Sequence, residues 1–235
     1  MTGMIERTLP RISLNKLGEY MTATPARRRM IVRDQRRPRA FLVPRYNEAQ
    51  SLIVRYLEST EHNPAVLLDG VRQLQSATAD TPWERQRNAL CTEALQAFLE
   101  MAEQIPTDFR FQRAPQRPPL LSYGDVAVSV RPELIVYGTN RALQPRVGAL
   151  KLYFSKTTPL SAAGGTFAAT ALADFSEQYL TLEIKSDASL CLVVDVFART
   201  LYRAPRFRKR RRVELLAACD EIARAWGATG DLVHP

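Results

Sequence analysis

The apolar residues of this chain change their period part-way along it, and that change limits the folds open to it. Through Gln104 they recur at helical spacing, whereas beyond the Pro/Arg stretch 115–119 they come as alternating or short apolar runs. Helix-length segments followed by strand-length ones can bury both kinds of face only in a mixed fold, α/β or the related α+β. The expected core is a small mixed β-sheet flanked by helices. Residues 1–235 read as one domain, with a helical region of about 1–110 and a sheet-containing core of about 118–235.

Local signals place the elements. Ser13 caps a short helix with Leu14, Leu17 and Met21 on its apolar side. Pro25, after Thr24, sits as the first residue of a second helix that Pro38 ends. Amphipathic spacing marks helices over 46–57 and 66–76. Thr81, with Glu84 three residues on, opens another that runs toward Gln104 and stops at Pro106. Strands are expected over 125–130, 134–137 and 149–154, with a loop over 140–146 between the last two. An alanine-rich helix over 162–179 follows, then a strand over 190–197 continued by 200–202. Gly227 stops a final helix over 213–226.

Charge bears on partners. Lys+Arg is 33 against 24 Asp+Glu, a formal net charge of +9, and arginine far outnumbers lysine. Guanidinium groups suit bidentate phosphate contacts, so a polyanion is the expected partner: nucleic acid, and DNA in the first place. A GC-rich genome would produce the same preference for arginine. Two clusters stand out: Arg27, Arg28 and Arg29, in a run reaching Arg39, and Arg208, Lys209, Arg210, Arg211 and Arg212, preceded by Arg206. Phe207 and Tyr202 either stack on bases or pack against the sheet. Protein partners or a homo-oligomer are further expectations.

Cys91, Cys191 and Cys219 are far apart and form no C-x-x-C pair, which reads as three buried thiols in a reducing cytoplasm. Residues 1–10 carry Glu6 and Arg7 with no apolar run, and no segment is apolar enough to span a membrane. A cytoplasmic protein without a secretory signal or membrane partner is expected.

Several chemistries lack their residues. With only His62 and His234, neither zinc-ligand spacing nor a Ser-His-Asp triad assembles readily. No phosphate loop and no G-x-G-x-x-G occurs, and Gly164-Gly165 is explained by a helix start. What remains is Glu133, before one strand, and Lys151, in the next. Neighbouring strands can bring both to one sheet edge, where a carboxylate holds a divalent metal and a cation attends the scissile phosphate. A surface carboxylate and an edge lysine would look the same. Asp195, inside an apolar strand, needs a partner: Arg199, Lys151 or a metal. Asp125 follows Gly124 as a turn residue. The literal E-x-K at Glu183-Ile184-Lys185 is discounted as the end of the helix from Ala162.

Two segments also carry a family resemblance. Ile12-Ser13-Leu14-Asn15-Lys16-Leu17-Gly18-Glu19-Tyr20, then Ala23-Thr24-Pro25-Ala26-Arg27-Arg28, is similar to an opening S-x-S-x-L-x-x-Y…C-P-x-[RK] pattern. Pro132-Glu133-Leu134, then Gly148-Ala149-Leu150-Lys151-Leu152-Tyr153, resembles an acidic strand followed by (D/E)-x-K. Both patterns are those of the PD-(D/E)XK nuclease superfamily, in its RecB-like branch with the CRISPR-associated exonucleases, and the residues that resemble them are 24 of the chain's 235.

The resemblance implies Mg²⁺ or Mn²⁺ chemistry on DNA. Glu133 would be a metal ligand and Lys151 a phosphate or water activator, with Asp195 as auxiliary acid and second ligand. The chain departs from the pattern at Ala149, where the (D/E)-x-K carboxylate belongs. Thr24 replaces the iron–sulfur cysteine, the C-terminal cysteine cluster is missing, and Gln178 and Tyr179 are adjacent instead of spaced as Q-x-x-x-Y. Neither an iron–sulfur cluster nor zinc is therefore expected. The expected function is a DNA-binding domain, either a metal-dependent nuclease or its catalytically degenerate relative. From a different class comes a non-catalytic interaction subunit of a defence or mobile-element complex.

Overall fold

Five strands form the principal sheet of the computed structural model, which describes residues 6–38, 45–181 and 183–228. Residues 1–5, Arg39 and His234, which entered the readings above, lie outside them. The strand order is β2 (Arg110–Arg113), β5 (Leu134–Thr139), β6 (Pro145–Tyr153), β7 (Leu192–Asp195) and β8 (Thr200–Arg203). Within this sheet, among the described residues, only the β6–β7 pair is parallel, and α6 (Ala162–Tyr179) makes the crossover between them. A second sheet of three strands has β4 (Val126–Ser129) between β1 (Arg11–Ser13) and β3 (Leu121–Tyr123). The fold is mixed α/β with a helical N-terminal region, as the sequence pattern indicates.

Alternation along the strands sends side chains to two cores. Leu134, Val136, Leu150, Leu152 and Val194 face α3 (Asn47–Glu58), α4 (Ala65–Ser76) and α5 (Pro82–Leu99). Ala149, Tyr153, Cys191 and Val193 face the opposite core with α1 (Leu14–Thr22), α2 (Pro25–Arg36), α6, α7 (Lys209–Ala228) and the smaller sheet. The helix starts are held by expected groups. Ser13 Oγ accepts from Lys16 N, Thr24 Oγ1 from Arg27 N, and Thr81 with Glu84 forms a reciprocal capping box. Cys91, Cys191 and Cys219 are buried free thiols. Among the described residues no helix is long and apolar enough to cross a membrane.

The structure corrects the sequence reading in several places. β1 comes from the nominally helical region and β2 from the stretch between it and the expected sheet core; they are three and four residues long, so neither shows a period. β3 escapes notice for the same reason. The strand expected over 190–202 is a hairpin, because the chain turns after Asp195 and β8 returns antiparallel to β7. The helix expected to reach Gln104 ends at Leu99. A 3₁₀ turn follows, which buries Met101 and lets Gln104 hydrogen-bond to Arg199 O and Leu201 N. Glu183-Ile184-Lys185 is not a helix end: α6 stops at Tyr179, and Lys185 O accepts from Val147 N beside β6.

Gly148 lies in β6 directly beneath the Leu190 backbone, which a Cβ would overlap. Gly148→Ala should therefore lower stability by about 1–3 kcal/mol, since backbone cannot swing aside as a side chain can. Urea denaturation checks this, and a change below about 0.5 kcal/mol would refute the close approach.

Candidate functional site

Glu133 and Lys151 meet where the β5–β6 ladder ends. Leu134 pairs with Leu150, and Glu133 N still donates to Leu150 O at 2.9 Å. The Glu133 carboxylate folds back onto β6 and accepts from Leu152 N at 2.6 Å and from Lys151 Nζ at 2.6 Å. Gln50 Nε2, from α3, adds a third donor at 3.2 Å. Lys151 Nζ also donates to Arg131 O at 2.6 Å. The side chains retain 6% exposure at Glu133 and 13% at Lys151, so the ion pair is mostly shielded from water. It borders a cleft of about 210 Å³ whose polar lining includes Gln50, Arg113, Arg131 and Glu133.

Asp195 does not join this pair. It lies on β7, opposite Tyr153, whereas Glu133 precedes β5 on the other side of β6. Two strand spacings separate them, about 10 Å of backbone. The Asp195 carboxylate is fully buried and accepts from Leu160 N at 2.8 Å and Ala198 N at 3.1 Å, tying the loop before α6 to the β7–β8 turn. Burial raises its pKa, while the Leu160, Ala198 and Phe197 amides pull the other way. Neither expected side-chain partner holds it: Lys151 binds Glu133, and Arg199 pairs with Glu100 at 2.8 Å.

This donor set does not fit a divalent-metal site. Glu133 is one carboxylate with three donors on roughly four lone pairs, and a metal would have to displace the lysine. Ala149 lies on the same strand two residues before Lys151, fully buried, and offers no oxygen from its side chain. Among the described residues, no group of three or more His, Cys, Asp or Glu is placed to hold a metal ion. The arrangement can hold a cation at the edge of a cleft and buttress the end of β6.

The arginine clusters divide into two populations. Arg27 Nε donates to buried Glu19 at 2.6 Å, and Glu19 also binds Lys16. Arg28 reaches Glu221 at 3.0 Å and lies over the Tyr20 ring. Arg212 Nε donates to Asp174 at 2.7 Å, while Arg208 is within 3.7 Å of Asp174 and both arginines reach Glu177. Tyr123 Oη completes that network with a 2.7 Å bond to Asp174. Burial first, then the Asp174 charge, pushes the tyrosine pKa well up. Arg210 pairs with Glu214 one turn along α7. Arg29, Lys209 and Arg211 have no ion pair among the described residues. Next to the latter two, Arg206 lies 5.5 Å over the ring of Phe207, which is 84% exposed, whereas Tyr202 is turned inward against Gly165.

The role of Gln50 had no signal in the sequence, since a glutamine on an amphipathic helix reads as solvated. The Asp174 and Glu177 acids were equally silent, because their partners lie more than thirty residues away. No protein-family model matches the chain, and a comparison with curated proteins finds no match either.

Proposed function

We propose that the chain is a DNA-binding domain built on a PD-(D/E)XK-like plan, with an ion pair where a nuclease would hold its metal, so that it grips DNA without cutting it. The observation that carries this reading is the meeting of Glu133 and Lys151 across β5 and β6, followed by α6 and a parallel β7. The neighbouring Ala149 removes the second carboxylate that Mg²⁺ or Mn²⁺ chemistry requires. Binding is supported by the +9 charge and by cations not spent on internal acids: Arg29 on α2, Arg206 over the exposed Phe207 ring, and Lys209 and Arg211 in the first turn of α7. An exposed ring among free cations suits unpaired bases stacked beside phosphates.

Titration with single- and double-stranded oligonucleotides over a range of salt should give a linear fall of log affinity with log salt. Joint Lys209→Gln and Arg211→Gln substitution should reduce that slope by about 1–2. In the same samples Mg²⁺ or Mn²⁺ should produce no cleavage. Cleavage abolished by Lys151→Ala would overturn the non-catalytic half of the reading, and absence of salt-sensitive binding would overturn the other half.

A further inference from the structure

We infer that Arg7, Arg11 and Arg131 form a binding site for a phosphate group beside the Glu133–Lys151 pair; only the source of that phosphate rests on the DNA-binding reading. Three observations lead there.

The first is placement. β1 and β4 are parallel, and their buried residues Ile12 and Val128 face the core, so Arg11 and Ser129 occupy the outer face. Arg11 Nη2 donates to Ser129 Oγ at 3.4 Å, and just past the end of β4 Arg131 is exposed while Val130 before it is buried. Arg7 is fixed alongside: its backbone N donates to Arg36 O at 2.9 Å and its Nη1 to Gln35 O at 3.1 Å. Arg131 O in turn holds Lys151 Nζ, which joins this surface to the candidate site.

The second is uncompensated charge. None of the three arginines makes an ion pair among the described residues. The acids next to them in the chain are committed elsewhere, Glu6 to Arg36 and Arg37, and Glu133 to Lys151. Burial, followed by the charges of Arg11 and Arg131, holds the Arg7 guanidinium below its ordinary pKa, so the three cations share one field.

The third is an orphan donor. Arg11 Nε is buried without a hydrogen-bond acceptor. The buried Nε atoms of Arg36 and Arg208 have carboxylates within 2.8 Å and 3.7 Å; Arg11 has none. Neighbouring guanidinium groups with a spare buried donor are suited to a tetrahedral dianion, which accepts from several directions at once.

The test compares the melting temperature of the full chain in phosphate and in chloride of equal ionic strength. Wild type should rise by about 2–4 °C in phosphate. Arg11→Gln and Arg131→Gln should lose that rise, and Arg141→Gln, an equal charge change on the β5–β6 loop, should keep it. Because the three cations repel one another, Arg11→Gln should melt no lower than wild type in chloride. A rise that survives Arg11→Gln, or no rise in wild type, overturns the inference. So does a variant that melts lower equally in both salts, since that marks a purely structural role.

A DNA arm separates the sources. Arg131→Gln weakening oligonucleotide affinity by about tenfold more than Arg141→Gln supports the site with DNA as the phosphate donor. If the phosphate effect is lost in the variants while DNA affinity is absent or unchanged, the site stands as one for a free phosphate. The DNA-binding reading would then fail at this face.

Discussion

Lys151→Met should destabilise the protein by about 3–5 kcal/mol, because it leaves the Glu133 carboxylate mostly buried beside only Leu152 N and Gln50. For a chain of this length that is a fall in melting temperature on the order of 10 °C. The double variant Lys151→Met, Glu133→Gln should recover most of the loss. The glutamine carbonyl can still accept from Leu152 N, and no unpaired charge remains. A thermodynamic cycle over the four proteins measures the coupling directly, expected at about 2 kcal/mol or more. A coupling near zero would mean that the pair is solvated and free to reorganise around a ligand, as a working nuclease site would be. Strong coupling fits the proposal that Lys151 now serves the fold in place of a reaction.

A second large loss is expected at the acid-bound arginines. Asp174 is 10% exposed and holds Arg212 and Tyr123, with Arg208 close by. Joint Arg208→Gln and Arg212→Gln substitution strands that carboxylate with the tyrosine alone, at a cost of about 3–5 kcal/mol. The matched pair Lys209→Gln and Arg211→Gln, whose side chains hold no acid, should change stability by no more than about 0.5 kcal/mol. Calorimetry on the two double variants decides this. Equal stability in both would show that the Asp174 network contributes nothing and that all four cations are available to a partner. The contrast matters for binding experiments, since neutralising the whole run would mix unfolding with loss of the proposed phosphate contacts.

How much of this was legible beforehand depended on the range of the interaction that carries each feature. Helix starts are decided within four residues, so Ser13, Thr24 and Thr81 mark them by their own side chains. The presence of α6 follows from an alanine-rich run of eighteen positions, long enough for a helix to stand out, although its end at Tyr179 does not. The neighbouring of Glu133 and Lys151 is likewise local, because β5 and β6 form one hairpin whose register runs from Thr139 opposite Pro145 to Leu134 opposite Leu150.

Other features required the tertiary structure. β1 finds its partner β4 more than a hundred residues away, and three residues carry no pattern of their own. An acid in an apolar strand needs partners, which makes Asp195 a candidate ligand in the sequence; its partners are backbone amides of two loops, which no side-chain pattern records. The division of the arginines was hidden for a similar reason. A run of like charges in sequence appears as one surface, but helix periodicity turns Arg208 and Arg212 toward Asp174 and Glu177 while Lys209 and Arg211 point elsewhere. The sequence alone determined that this chain is strongly basic and of mixed α/β class. Which of its cations are spent on internal acids was decided by packing, because an ion pair depends on distance in space and not on separation along the chain.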